Sequence, residues 1–212
     1  MKTFLFQGDS ITAIGRSEKS DDALGWGYVN FFAASIACRY PGEFKFLNRG
    51  ICGNRSIDIY KRIKRDIINI KPDVMSILVG INDVWHDTID SPNGVDGDKY
   101  YKIYDMLITE IKEALPEIKI MIMEPFVLKI DSIEANWEYI ERETKIRSQM
   151  AQKIASKHGL TYIGLQDGFS KLTACADAKY WLSDGVHPTP MGHEYIKTQW
   201  IKAFKENILK EM

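Results

Sequence analysis

Short runs rich in apolar and β-branched residues alternate along the chain with longer stretches in which apolar residues recur at every fourth position. TFLF (3–6), FKFLN (44–48), VMSILVG (74–80), IKIMIM (118–123) and LTYIGL (160–165) are each bounded by Pro, Gly, Asn or Asp. Runs of this length with little polar alternation are strands buried on both faces, and the pattern predicts five of them. Between them, Ile59, Ile63 and Ile67, then Ile103, Leu107, Ile111 and Leu115, then Ile146, Met150 and Ile154 step by four. Each set lays one apolar stripe along a helix. Gly159 after ASKH has the form of a helix stop, and Thr189-Pro190 that of an N-cap followed by Pro at the first helical position. The last helix carries Ile196, Trp200 and Phe204, and its two aromatics suit either a core or a contact between subunits.

Strands that alternate with helices are joined by right-handed crossovers into a parallel sheet, which gives a three-layer α/β/α sandwich. Ligands of such sheets bind at the carboxyl ends of the strands, where the strand order reverses. In an order beginning 2-1-3, that point lies beside the residue following the first strand, which here is Ser10. HDTIDSPNGVDGDKY (86–100) is the longest polar loop.

Composition narrows the function. With 212 residues, 45% hydrophobic and 27% charged, residues 1–212 are expected to form a single domain with a substantial interior. The formal charge is −1, and the densest basic cluster, KRIKR (61–65), is interleaved with isoleucine as on the solvated side of a helix. No nucleic-acid partner is expected. No apolar run approaches the ~20 residues of a membrane span, so no membrane partner is expected either. Cys38, Cys52 and Cys175 form neither a disulfide framework nor a metal-ligand pattern. A cytoplasmic location is expected, or a secreted one if a leader has been removed, with no metal and no cofactor.

The candidate chemistry begins at FLFQGDSITAIGR (4–16), where a predicted strand ends in Gly-Asp-Ser. A serine hydroxyl needs a general base to become a nucleophile. Of four histidines, His187 in SDGVHPTP (183–190) stands three residues after Asp184, a spacing that lets the carboxylate hold one imidazole nitrogen while the other faces outward. Pro188 and Pro190 pin this loop. Acyl transfer also requires donors for an oxyanion. NRGICGNRS (48–56), with Gly50 and Gly53, and VGIND (79–83), with Asn82, stand after the second and third strands and supply candidates. Taken singly, each has an ordinary reading as a turn, a surface ion pair or two ligands of a metal. His86 and His193 are competing bases, and Asp9 and Asp83 suit capping of loop N–H groups.

Taken together, the Gly-Asp-Ser, the glycine loop, Gly-Ile-Asn-Asp and Asp-Gly-Val-His-Pro, in that order over residues 8 to 188, resemble the blocks of the SGNH, or GDSL, hydrolases. The resemblance implies a flavodoxin-like five-stranded parallel sheet, with Ser10 as nucleophile, His187 as base and then acid, and Asp184 as its orienting carboxylate. It further implies an oxyanion hole made by the Ser10 and Gly53 N–H groups and the Asn82 amide. Ile11 replaces the Leu of the family's nickname, Ala13 stands where relatives often carry Asp, and Cys52 stands where Ser is frequent.

NRGICGNRSIDIYKR and KPDVMSILVGINDVWH resemble bacterial carbohydrate acetylesterases, including intracellular acetylxylan esterases. The expected substrate is therefore a small acylated sugar, with Trp85, His86, Tyr180 and Trp181 as candidate contacts, and the resemblance favours a homo-oligomer. Alternatives are a lipase, thioesterase or acyltransferase using the same residues, or a flavodoxin-like module in which GDSITAIG binds a phosphate or flavin. The last gives no role to Asp184, His187 or Asn82.

Overall fold

A computed structural model describes residues 1–208. Its sheet contains β1 (Lys2–Gly8), β2 (Phe44–Asn48), β3 (Val74–Leu78), β4 (Lys119–Met123) and β5 (Thr161–Ile163). All pairings are parallel and the order is β2-β1-β3-β4-β5, the flavodoxin-like arrangement. The chain leaves β1 toward one edge, then crosses back over it to reach β3. The reversal therefore falls between β1 and β3, and the loops that follow these two strands border the same crevice.

Successive residues of each strand feed opposite layers, as a two-residue period requires. Phe4, Phe6, Val74, Leu78, Met121 and Met123 point into one core with the helices α2 (Tyr28–Arg39) and α9 (Pro190–Asn207). Leu5, Met75, Ile77, Ile120 and Ile122 point into the other with α5 (Gly97–Ala114) and part of α6 (Trp137–His158). In the first core the ring centroids of Phe32 and Trp200 are 4.0 Å apart, and Phe4, Phe6 and Phe204 close around them. Each such fully buried side chain contributes about 1.5–3 kcal/mol. Trp200 and Phe204 are thus core residues and are not available as a subunit contact.

Two predicted helices differ in detail. Ile59, Ile63 and Ile67 do not share one regular helix. The helix Ser56–Lys61 gives way to a wider π turn at Lys64–Ile68, leaving Ile63 only half-buried. At this turn Arg62 reaches inward to Asn54 and Asp66, and the Asp66 carbonyl accepts from the Gln7 side chain. In α6 the buried stripe is Ile140, Thr144, Arg147, Ala151 and Ile154, so Ile146 and Met150 lie to one side of it. The inward stripe is partly polar: Arg147 donates to the Val95 carbonyl at 2.7 Å and pairs with Glu143 at 2.5 Å. A reading of apolar residues alone could not register it. Gly159 ends α6 in the left-handed conformation, and the Thr189 hydroxyl caps α9 by accepting from Gly192 N–H.

Candidate active site

β1 ends at Gly8 because the chain there passes too close to its neighbours for any side chain. A Cβ would lie 2.4 Å from the Thr12 hydroxyl and 2.5 Å from the Leu78 carbonyl oxygen. Asp9 then caps a single helical turn, α1 (Ser10–Ala13), by accepting from Ile11 N–H at 2.9 Å, and Ser10 is its first residue. The loop after β2 is fastened to this turn by Asn48. Its side-chain amide donates to the Thr12 and Leu24 carbonyls at 2.7 and 2.8 Å and accepts from Gly50 N–H at 2.9 Å.

After β3, the turn α4 (Ile81–Trp85) carries Asn82, whose amide donates to the Asn54 carbonyl at 3.2 Å. An amide has two N–H groups, so one remains for another acceptor. Asp83 is fully buried and accepts from both the N–H and the hydroxyl of Ser56. It joins the β3 loop to the β2 loop, and so holds Gly53 and Asn82 in one frame. Burial still raises the Asp83 carboxyl to about 6 against those hydrogen bonds. Gly53 has φ +75°, a left-handed backbone for which glycine is suited, and no atom lies within 4 Å of where its Cβ would stand.

The loop between α9 and the short helix α8 (Ala178–Trp181) brings in the imidazole. Asp184 receives the N–H groups of Val186 and His187 at 3.0 and 2.7 Å and the His187 ring at Nδ1 at 2.6 Å. Burial alone would raise the Asp184 carboxyl, but the His187 ring and the two backbone donors outweigh it and hold it at about 2. The hydrogen bond to Asp184 in turn raises His187 above its ordinary value, against its partial burial. With Nδ1–H donating to the carboxylate, Nε2 is left as an acceptor, and it lies 2.8 Å from Ser10 Oγ. Beside His187, Asn82, Asp184, Ile81, Trp85 and Val186 enclose a cavity of about 40 Å³.

Ser10, His187, Asp184 and Asn82 are thus brought together at the carboxyl edge of the sheet, with Gly53 in the loop braced against Asn82. Trp85 lines the cavity. His86 ends the same turn, partly buried among the charges of Arg55 and Asp58, and burial lowers its pKa. Trp181 faces elsewhere: its indole N–H donates to the Leu172 carbonyl at 3.1 Å, and its ring lines an apolar hollow with Met191 and Tyr195. Tyr180 packs edge-on against it. His193 is buried, stacks on Tyr28 and accepts from Tyr28 N–H, and burial depresses it to about 4. Asn48 and Ser56, which fix the site's loops, carried no sequence signal. Apart from the bond of Asn48 to Gly50 N–H, their bonds reach residues distant in the chain, where no local spacing marks them. The three cysteines are free and exposed, and among the described residues no cluster of metal-ligating side chains occurs and no helix is long and apolar enough to cross a membrane.

A parallel sheet of this order, with a serine, a histidine and an aspartate in hydrogen-bonded series at its rim, defines a carboxylic ester hydrolase of the SGNH fold. The chain belongs to the GDSL-like lipase/acylhydrolase family, whose model matches residues 6–195. It is 33% identical to an acetylxylan esterase of Geobacillus stearothermophilus over 93% of this chain and 91% of that one. Among solved structures, a GDSL-like lipase from Parabacteroides merdae superimposes with a TM-score of 0.91 at 31% identity, covering 96% of this chain and 95% of the other. Axe2, an acetylxylan esterase from Geobacillus stearothermophilus, does so with a TM-score of 0.85 at 28% identity, covering 95% and 93%.

Proposed function

We propose that the protein removes acetyl groups from small carbohydrates such as xylo-oligosaccharides, using Ser10, His187 and Asp184 through an acyl-enzyme. The observation that carries this reading is the small cavity beside the hydrogen-bonded series from Ser10 to Asp184. At about 40 Å³ it has room for roughly three groups the size of water, which suits an acetyl group. The likeness to acetylxylan esterases supports the same substrate class.

In this mechanism Ser10 Oγ attacks the acetyl carbonyl while His187 Nε2 takes its proton. The Asp184 carboxylate stabilises the imidazolium and keeps its ring in place. Negative charge on the carbonyl oxygen is met by the backbone N–H groups of Ser10 and Gly53 and by the Asn82 amide. The bond to the sugar oxygen breaks as His187 returns the proton to that oxygen, and the sugar leaves as an alcohol. Water then adds to the acyl-enzyme with His187 again as base, and acetate departs as Ser10 recovers its proton.

Acetate release from a panel of acetylated saccharides, set beside acyl esters of increasing chain length, tests the proposal. Acetyl esters of sugars should be cleaved fastest. Preference for long acyl chains, with acetylated sugars untouched, would remove it.

A further inference from the structure

A second concavity lies at the carboxyl ends of β4 and β5, between α6 and the helix α7 (Gln166–Leu172), and the proposed reaction makes no use of it. Its volume is about 330 Å³, within the range of sites that hold small organic ligands and far larger than the cavity beside His187.

The floor is fixed in advance. Glu124 follows β4 and accepts from the N–H groups of Leu165 and Gln166 at 2.6 and 2.9 Å and from the Ser148 hydroxyl. Gln166 bonds Val127 through both ends of its amide, at 2.9 and 3.0 Å. The wall on α6 presents the half-buried indole of Trp137 and then Glu141, Lys145 and Gln149, all exposed. Asp167 and Ser170 face them from α7. Thr144, on the same wall, is 2% exposed, and its buried hydroxyl has no hydrogen-bond partner.

The chemistry of the lining selects the ligand. Glu124 already accepts from three donors, which leaves it little capacity for a cation. The exposed groups carry both signs, with acid slightly in excess, which disfavours an anion. A flat aromatic face beside dispersed donors and acceptors matches a neutral ring bearing hydroxyls on its rim and C–H groups on its face.

The segment 124–128 runs between this concavity and the loops that carry Asn82 and Asp184. Pro125 and Val127 line the second concavity. A Cβ on Gly80, two residues before Asn82, would lie 3.0 Å from Pro125. Leu128 N–H donates to the carbonyl of Gly185, next to Asp184, at 2.9 Å.

We infer that the cleft between α6 and α7 is an accessory carbohydrate-binding site, which holds neutral sugar residues of an oligosaccharide apart from the acetyl group being removed. This rests on the acetylated-sugar reading for its role in turnover, but the binding itself is measured separately. The probe is unacetylated xylohexaose, titrated calorimetrically into full-length Ser10→Ala protein. Saturable binding is expected, weakened about tenfold by adding Trp137→Ala and severalfold by adding Gln149→Ala. Gln149 is exposed, so its replacement tests the site even if the Trp137 variant fails to fold.

In the parent enzyme, Gln149→Ala should raise KM for long acetylated xylo-oligosaccharides and leave kcat/KM for p-nitrophenyl acetate unchanged. Absence of saturable binding, or binding that Gln149→Ala and Trp137→Ala both leave intact, overturns the inference. Failure of the parent enzyme to release acetate from any sugar would instead count against the substrate reading, whatever the calorimetry shows.

Discussion

Ser10 Oγ and His187 Nε2 lie 2.8 Å apart although 177 positions separate them in the chain. The link joins the end of the first strand to the loop before the last helix. If it is the nucleophile–base pair, Ser10→Ala should lower kcat for an acetyl ester by about 10⁴-fold or more, leaving the residual rate that oxyanion donors and binding supply. Fluorophosphonate labelling of the parent protein, lost in the variant, provides the check independent of turnover.

His187 must be neutral to accept a proton, and its hydrogen bond to Asp184 raises its pKa above the ordinary 6.5. The acidic limb of kcat/KM is therefore expected above pH 6.5, with activity rising as pH rises through it. Asp184→Asn removes the main cause of the elevation. It should move the limb toward lower pH and reduce kcat by about 10³–10⁴-fold. A limb that stays in place would show that Asp184 does not govern this imidazole.

Asn82→Ala deletes one donor of the proposed oxyanion hole and its brace to Asn54. The expected loss is about 10²–10³-fold in kcat with a smaller effect on KM. Equal kcat in variant and parent would assign the amide a purely structural part.

Asp9 is sealed beneath the nucleophile with one carboxyl oxygen bonded to Ile11 N–H and the other without a partner. Burial raises its pKa from 3.8 to about 7. A carboxyl with a raised folded-state pKa contributes its full stability below the unfolded value, and that contribution is lost as pH climbs through the folded value. Asp9→Asn copies the protonated form and does not ionise. Measured by urea unfolding, the variant should gain about 2–3 kcal/mol relative to the parent between pH 5 and 8. Parallel stability curves would contradict the titration.

The strands were legible because a sheet covered on both faces demands continuous apolar runs, and all five fall where such runs occur. A strand-end Gly-Asp-Ser and an Asp-x-x-His-Pro are local signatures, so the sequence puts forward Ser10, Asp184 and His187 as candidates, and the fold brings these three side chains into one hydrogen-bonded series. Buried polar braces were not legible. Asn48, Arg62, Arg147 and Ser56 act through contacts distant in the chain, so no spacing marks them. Aromatic residues near the motifs misled in part, because proximity in sequence to His187 does not determine which way Trp181 turns. Helix α2 leaves only a faint signature: Tyr28, Phe32 and Ile36 step by four, but Phe31, Ala34 and Cys38 dilute the stripe on its other side.

Trp200 and Phe204 pack against Phe4 and Phe32, and Trp200 also against Phe6. The helix that carries these two aromatics begins three residues after His187, so the packing that anchors the first strand also seats the loop that holds the imidazole beside Ser10. A substitution that loosened this one contact would disturb the seat of the hydroxyl and of the imidazole at once.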